Sequence, residues 1–518
     1  MFRKIQHYLL LKQPLLWNTK AIPTLTILAV FHILFFGIGY LSGALDFNQT
    51  SRNYNYNSNE ETVVFFSVLI SILSVIIWLV FYFKNNAFKA LYPKSNWALL
   101  QEWSLLFVIC FTAGSFSMSY FLGIDTKIRS YYTETEAKKR CETLSKASIS
   151  YGENFDAPVE IDTTIKDTTR PFRLDYVRFK GKKYSLNSLL NKDIHNYSFY
   201  DSKWDSVTKV KVKSWLIDNQ QDSVKTVLKE YFALVNEHRL TSNINAQQWF
   251  ELIPTAPDFI QTRVIAKREK DYYNGGNYNY DYENEYNEAV AVEVARDGKI
   301  DSLNEYLKYI GKDEFVFYKT YVPADELEYN YEKIANTYTN PTVSSQMLLA
   351  FLYLAIGLSI LIFSFRVTSG RSWLIALISM GVLNIIFGIL SVVFRFESFY
   401  IIALLATIII LFTYFMVVIK RQKAKGISGI TLNASLWLLP AWLPVMYQLL
   451  LEFLRHVYGY YDYNSYDYNM GFDYDNYPLL KFLKDNGENM LWFNLLFIVA
   501  LLCFYSIQIK KWKALAEG

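Results

Sequence analysis

Pro440 and Pro444 stand one helical turn apart in "NASLWLLPAWLPVMYQLLLEF". Each lacks a backbone N–H, so a helix through them must kink or break, and the carbonyls it frees can line a cavity. The bland reading of the same pair is a kink that only fits its neighbours. Polar residues within apolar segments are the other mark of a path through a membrane. Ser67, Ser71 and Ser74 recur at i, i+4 and i+7 on one face, and Asn384 lies between Gly381 and Gly388. Gly39 and Gly43 form a small-x-x-x-small step. Residues of this size at these spacings let helices approach closely, so helix packing competes with a polar path at every one of them. His32 is the one histidine well inside an apolar segment. A proton relay would want acidic company, which the centres of these segments lack, so a helix-to-helix hydrogen bond is expected instead.

Catalytic signatures are missing. There is no G-x-x-x-x-G-K-[ST], no H-E-x-x-H and no G-x-S-x-G, so no phosphate-cradling loop, zinc helix or nucleophile elbow is expected. The histidines at 7, 32, 195, 238 and 456 are too scattered to suggest a metal site. Cys110, Cys141 and Cys503 offer neither a thiolate cluster nor a disulfide pair outside the spans. The sequence therefore supports no enzyme, cofactor or metal.

The elements that carry these residues are set by hydrophobicity. The 518-residue chain is 52% apolar, and its apolar residues gather in blocks near 21–44, 62–83, 100–123, 346–365, 372–394, 398–419, 430–453 and 490–508. Crossing a hydrocarbon core takes about 20 such residues. The expected fold is a polytopic α-helical membrane protein of about eight transmembrane helices. Glu102 and Glu452 lie near span ends, where a long side chain can snorkel to the interface. Sixteen lysines and arginines sit in one set of short flanks and five in the opposite set. By the positive-inside rule both termini are cytoplasmic, which also accounts for these basic residues without nucleic acid.

Residues 124–345 are then one extracytoplasmic segment between helices 3 and 4, long enough for a folded domain. "TETEAKKRCETLSKAS" (133–148), "DSVKTVLKEYFALVNEH" (222–238) and "DSLNEYLKYIG" (301–311) read as helices. In the second, Val224, Val227, Leu228, Tyr231 and Val235 share a face, with Asp222 or Ser223 as cap. "FRLDYVRFKGKKYSL" reads as strands that Gly181 could turn. A mixed α+β domain is expected.

Tyrosine is concentrated in 52–61, 271–289 and "VYGYYDYNSYDYNMGFDYDNYP" (457–478), whose eight tyrosines and four aspartates come without a lysine or arginine. All three stretches fall on the outer side. Tyr458, Tyr460, Tyr461, Tyr463, Tyr466 and Tyr468 could grip a protein or glycan. AT-rich codon bias filling a tolerant loop is the alternative. Calcium loops starting at Asp462 or Asp467 fail, because the glycine position holds Asp467 or Phe472.

At the N-terminus, Phe2, Ile5 and Leu9 share one face of "MFRKIQHYLLLKQPLLWNTK", while Arg3, Lys4 and His7 lie elsewhere and Pro14 interrupts the segment. Residues 1–20 read as a cytoplasmic interfacial segment, with an ordinary basic flank that sets topology as the equal alternative. A three-helix bundle (21–123) follows, then the outer domain. A five-helix bundle (346–509) carries the Tyr/Asp/Asn-rich loop at 455–489, and a basic tail (510–518) ends the chain. An interfacial N-terminal helix, an outer domain between two bundles and the lack of an ATPase motif resemble the permease subunits of ABC-type exporters. The resemblance is one of layout. It implies a transport component, in the inner membrane if the source is bacterial, working with a separate cytoplasmic ATPase subunit. That partner would touch residues 1–20, the loop 84–99 or the loop 420–429 with Lys420, Arg421, Lys423 and Lys425. The alternative is a membrane-anchored sensor or scaffold whose outer domain binds a protein or glycan. A secondary transporter stands third, for want of buried carboxylates.

Overall fold

The computed structural model describes residues 2–47, 58–84, 97–148, 176–179, 182–185, 194–218, 220–240, 242, 244–252, 266–267, 315–316, 322–394, 398–422, 427–462 and 477–514. The tyrosine stretch 271–289, most of 52–61, residues 463–476, the helix expected at 301–311, Gly181, Lys423 and Lys425 lie outside them. The chain divides into two compact units: Met1–Gly37, Val63–Phe121 and Val343–Gly518 form the first, and Ile38–Thr62 with Leu122–Thr342 the second.

Among the described residues the order begins α1 (Phe2–Lys12), α2 (Pro14–Thr19), α3 (Ala21–Ser42), α4 (Ser58–Lys84), α5 (Ala98–Gly114), α6 (Phe116–Arg129) and α7 (Glu134–Ser148). After the ladder β1 (Tyr176–Phe179) and β2 (Lys182–Ser185) come α8 (Ser202–Ile217), α9 (Gln221–Glu237), α10 (Ala246–Leu252), β3 (Ala266–Lys267), β4 (Phe315–Val316) and α11 (Ala324–Thr339). The chain ends with α12 (Ser345–Val367), α13 (Gly370–Phe394), α14 (Ser398–Lys420), α15 (Ser428–Trp437), a 3-10 turn (Leu439–Ala441), α16 (Trp442–Asp462), α17 (Pro478–Asp485) and α18 (Gly487–Lys513).

Six helices are long and apolar enough to cross a membrane, and eight spans result if each of two bent pairs counts as one. Those pairs are Ala98–Gly114 with Phe116–Arg129, bent by 55°, and Ser428–Trp437 with Leu439–Tyr458, bent by 45°. Ile27, Val30, Ile33, Phe65, Ile72, Ile77, Ile385 and Val392 are all exposed on the spans. Apolar surface on this scale is stable against lipid and not against water. This is the architecture of a polytopic helical membrane protein.

The first unit is held along α12, which presents Leu349, Ile356, Ser359, Ile360 and Phe363 as a buried stripe at helical spacing and lies along α5. Ser344 caps α12 by accepting from the Met347 N–H at 3.2 Å. The α15 half of the broken span touches α12, α13 and α14, and the α16 half touches α14, α17 and α18.

The core of the second unit is built by helices. Ala137, Cys141, Leu144 and Ala147 on α7 meet Val224, Val227, Leu228, Tyr231 and Val235 on α9, Trp249 and Phe250 on α10, and Leu327, Tyr331 and Ile334 on α11. The small residues on α7 leave room for the larger partners. Thr133 and Glu136 form a capping box at the head of α7: the Thr133 N–H donates to Glu136 Oε2 at 2.9 Å, and the Glu136 N–H to Thr133 Oγ1 at 3.4 Å. Asn245 and Gln248 cap α10 in the same reciprocal way, both bonds at 2.9 Å.

Three sequence expectations need correction. The described part of the second unit is helical, and its strands are two short antiparallel ladders, of four residue pairs and two. The described core is built by helices, so a mixed α+β domain is not supported by these residues. Gln220, not Asp222 or Ser223, is the N-cap of α9, and no side chain caps it. The region 455–489 is not one loop: α16 runs to Asp462, and Pro478, suited to a first helical turn by its fixed φ, opens α17.

Candidate functional site

The break in the α15–α16 span follows from its two prolines. In an α-helix the N–H of residue 444 would bond the carbonyl of residue 440, and Pro444 has none to offer. Asn494 on α18 supplies the missing donor: its Nδ2 lies 2.9 Å from the Pro440 carbonyl oxygen. The same Nδ2 donates to the Tyr353 hydroxyl of α12 at 2.8 Å, and that hydroxyl donates to the Leu491 carbonyl at 3.0 Å. Asn494 is fully buried, and its Oδ1 has no hydrogen-bond partner.

Along α15 the polar contacts continue. Asn433, fully buried, accepts from Thr368 Oγ1 at 3.0 Å and donates to the Gly429 carbonyl at 2.9 Å. The Trp437 indole N–H donates to Ser364 Oγ at 2.8 Å, and Ser435 pairs with the Tyr505 hydroxyl. Trp512 Nε1 donates to Ser428 Oγ at 2.8 Å. Gly429 packs closely on α13, and a Cβ there would lie 3.1 Å from Ser372 Oγ.

A charged pair is buried in the same unit. Arg366 Nε, near the end of α12, donates to Glu102 Oε1 at 3.0 Å, and the Tyr82 hydroxyl of α4 donates to the same oxygen at 3.0 Å. The two charged side chains are only 9% and 11% exposed. Glu102 therefore does not snorkel; it turns inward, because a paired and hydrogen-bonded carboxylate tolerates burial that an isolated one does not. The contact chain reaches the N-terminal segment. Tyr82 stacks on Trp78 with centroids 5.5 Å apart, and Trp78 Nε1 donates to the Thr19 carbonyl of α2 at 2.9 Å. Pro14 opens α2, and Lys20 closes it with a left-handed φ of 54° while its ammonium lies 3.8 Å from the Trp17 ring centroid.

His32 sits beside the other bend. The last-turn carbonyls of α5 lack helical partners, and the Thr112 carbonyl is met by His32 Nε2 at 2.8 Å. A carbonyl only accepts, so Nε2 carries the proton and Nδ1 accepts from Ser119 Oγ at 2.6 Å. Phe116 packs against His32 and stacks on Phe35.

The remaining sequence-selected residues are dispersed. Ser67 and Ser71 donate to their own helix, to the Val64 and Ser67 carbonyls at 2.7 Å each, while Ser74 is half-buried on the same helix. Asn384 bonds the Met380 carbonyl and accepts from Tyr400 across to α14, both at 2.9 Å. A Cβ at Gly381 or Gly388 would meet nothing within 4 Å. Gly39 is buried, and a Cβ at Gly43 would lie 2.8 Å from the Ile124 carbonyl oxygen, a contact within the second unit. Lys420 and Arg421 are exposed at the end of α14. Tyr458 stacks on Tyr477 with centroids 4.7 Å apart.

The second unit has its own polar cluster. His238 Nε2 pairs with the Tyr331 hydroxyl at 2.8 Å, and the His238 ring stacks on Phe47 with centroids 3.5 Å apart. Tyr132 donates to Glu237 Oε1 at 2.9 Å, and Arg140 Nη2 donates to the same oxygen at 3.0 Å. Burial pulls the His238 imidazole down to about 4, so it is neutral near pH 7. Burial pushes Glu237 upward, but the hydrogen bonds from Tyr132 and Arg140 outweigh it and hold the carboxyl low. Burial also raises the Tyr331 and Tyr132 hydroxyls. A charged Glu237 paired to Arg140, with neutral histidine and tyrosines, makes a fixing point for α7, α9 and α11, with no group poised to move a proton at neutral pH.

Sequence reasoning did not single out Asn494, Asn433, Tyr353, Arg366 or the carboxylate role of Glu102. A lone asparagine inside "MLWFNLLFIVALL" was a usable signal, because polar side chains in spans are costly unless bonded. Among the described residues, no three His, Cys, Asp or Glu side chains come together. No protein-family model, curated protein or solved structure matches this chain.

Proposed function

We propose that the chain is an integral membrane transport component, a permease-like subunit working with a separate cytoplasmic ATP-binding protein. The observation that carries this reading is the broken α15–α16 span, whose freed Pro440 carbonyl is held by Asn494 from another helix. Interrupted helices inside a bundle are the usual place where membrane proteins handle polar cargo, because non-helical backbone at that depth must be buried in protein or line a cavity. The buried Glu102–Arg366 pair adds weight, since ionisable groups within spans cluster at functional sites. It also removes the lack of buried carboxylates that counted against ion-coupled transport.

The ATPase partner is supported by layout alone: a helix at the N-terminus, no phosphate loop in this chain, and the exposed Lys420 and Arg421 beyond α14. In this reading both termini are cytoplasmic and the second unit is extracytoplasmic. Gentle extraction of the tagged chain from its native membrane, followed by mass spectrometry, should recover an ATP-binding subunit at near-equal amount. Replacing Lys420, Arg421, Lys423 and Lys425 with glutamine should weaken its association. Recovery of outer-envelope partners alone, without an ATPase, would overturn the permease reading.

A sensor or scaffold is the second reading, favoured by the separate helical core of the second unit. Pro440→Ala with Pro444→Ala separates the two. Transport should fall, whereas a scaffold's capture of its protein or glycan partner should persist.

A further inference from the structure

The hydrogen-bond valences at the break are unbalanced in one direction. Asn494 spends its amide N–H groups on the Pro440 carbonyl and the Tyr353 hydroxyl. Tyr353 spends its only O–H on the Leu491 carbonyl. Pro440 and Pro444 have no N–H at all. Every donor of this group is therefore committed, while Asn494 Oδ1 is buried with no partner. A carbonyl oxygen has two lone pairs, and Pro440, which receives no helical N–H from Pro444, keeps one of them free beside its bond from Asn494.

We propose that the break binds one desolvated monovalent cation, Na⁺ or K⁺, with Asn494 Oδ1 as its side-chain ligand and main-chain carbonyls at the break completing the shell. An anion finds no donor in this group. A divalent cation needs carboxylates to offset its dehydration, and the group contains none. A water molecule would satisfy Oδ1 with a proton but would bring its own lone pairs into a site whose donors are already used. A monovalent cation consumes only acceptors, and neutral carbonyl and amide oxygens are its usual ligands in membrane sites. The inference deepens the transport reading and rests on it for the ion's role as cargo or coupling ion; occupancy of the site stands apart.

The test therefore measures binding in the purified full chain, in lipid nanodiscs, with no transport step. Radioactive sodium binding and thermal stability are followed as NaCl or KCl replaces choline chloride at constant ionic strength. Saturable binding with a matching stability rise is expected, and the preferred ion identifies which cation the site takes. Asn494→Leu removes the ligand at similar volume and should weaken binding at least about tenfold. Asn494→Asp keeps the oxygens, adds a charge and should tighten it. A stability independent of both cations, or cation binding unchanged in Asn494→Leu, overturns the proposal and leaves Oδ1 to water. If Asn494→Leu is not monodisperse, unchanged affinity in Asn494→Asp is equally decisive. Transport without cation binding would sink this inference alone; cation binding without transport would sink the transport reading alone.

Discussion

Replacing Glu102 with glutamine keeps its size but removes its charge, and the structure sets what this should cost. Glu102 Oε1 lies 3.0 Å from Arg366 Nε, and both side chains are nearly excluded from solvent. At this separation and an effective dielectric of about 20, the attraction is about 5–6 kcal/mol. Losing it takes the Glu102 charge away from a buried guanidinium, so Glu102→Gln should destabilise the first unit by about 3–5 kcal/mol. An exposed pair would cost about 0–1 kcal/mol and would weaken with salt. Arg366→Met should be as harmful for the mirror-image reason. The double variant should recover part of the loss, because neither charge is then left buried without the other. Unfolding in mixed detergent–lipid micelles of graded SDS content gives all four corners of the cycle. Additive single losses, or losses near the surface value, would refute the claim that the two charges depend on each other.

Two further outcomes follow from the second unit. Gly43→Val should destabilise it by about 1–3 kcal/mol, because the new Cβ would press on the main-chain oxygen of Ile124, which cannot swing away as a side chain does; limited proteolysis of the purified chain reads this. The pH dependence of the same unit should carry the mark of His238. Its folded pKa, about 4, lies below the ordinary histidine value of about 6.5. The unfolded chain therefore binds the extra proton first, and stability present above pH 6.5 drains away as pH falls towards 4. Facing His238 are Phe47, Tyr132 and Tyr331, with Glu237 and Arg140 adjoining. His238→Gln should flatten the melting profile across that window, and an unaltered slope would assign the acid sensitivity to other groups.

What was legible in the sequence was mostly what depends on near neighbours. The face Val224, Val227, Leu228, Tyr231 and Val235 is buried on α9, because periodicity within one helix is a local property. The break at Pro440 and Pro444 is equally local, since a missing N–H acts on the carbonyl four residues earlier. The hydrogen bonds of His32 to Thr112 and Ser119 could be expected in kind but not in partner, because their residues are 80 and 87 positions away. The third apolar block, 100–123, holds no proline to mark a bend, yet its span bends at Ser115. Helix α8 was hidden by "VTKVKVKS", where β-branched residues alternate with polar ones as in a strand. Asn494 and Arg366 could not be assigned roles because each acts on a residue brought beside it only by folding.

The Glu102–Arg366 contact also sets an order of manufacture. Its two halves are 264 residues apart in the chain, and a ribosome adding about 5–20 residues per second needs roughly 13–53 s to travel between them. For that interval the first three membrane segments exist with a carboxylate whose cation has not been synthesised. Of the two hydrogen-bond donors that meet Glu102 Oε1, only Tyr82 has been made by then, and α5 gains its packing partner α12 only afterwards. The N-terminal half of this membrane domain thus completes its buried contacts only after the C-terminal half has supplied Arg366 and the rest of α12.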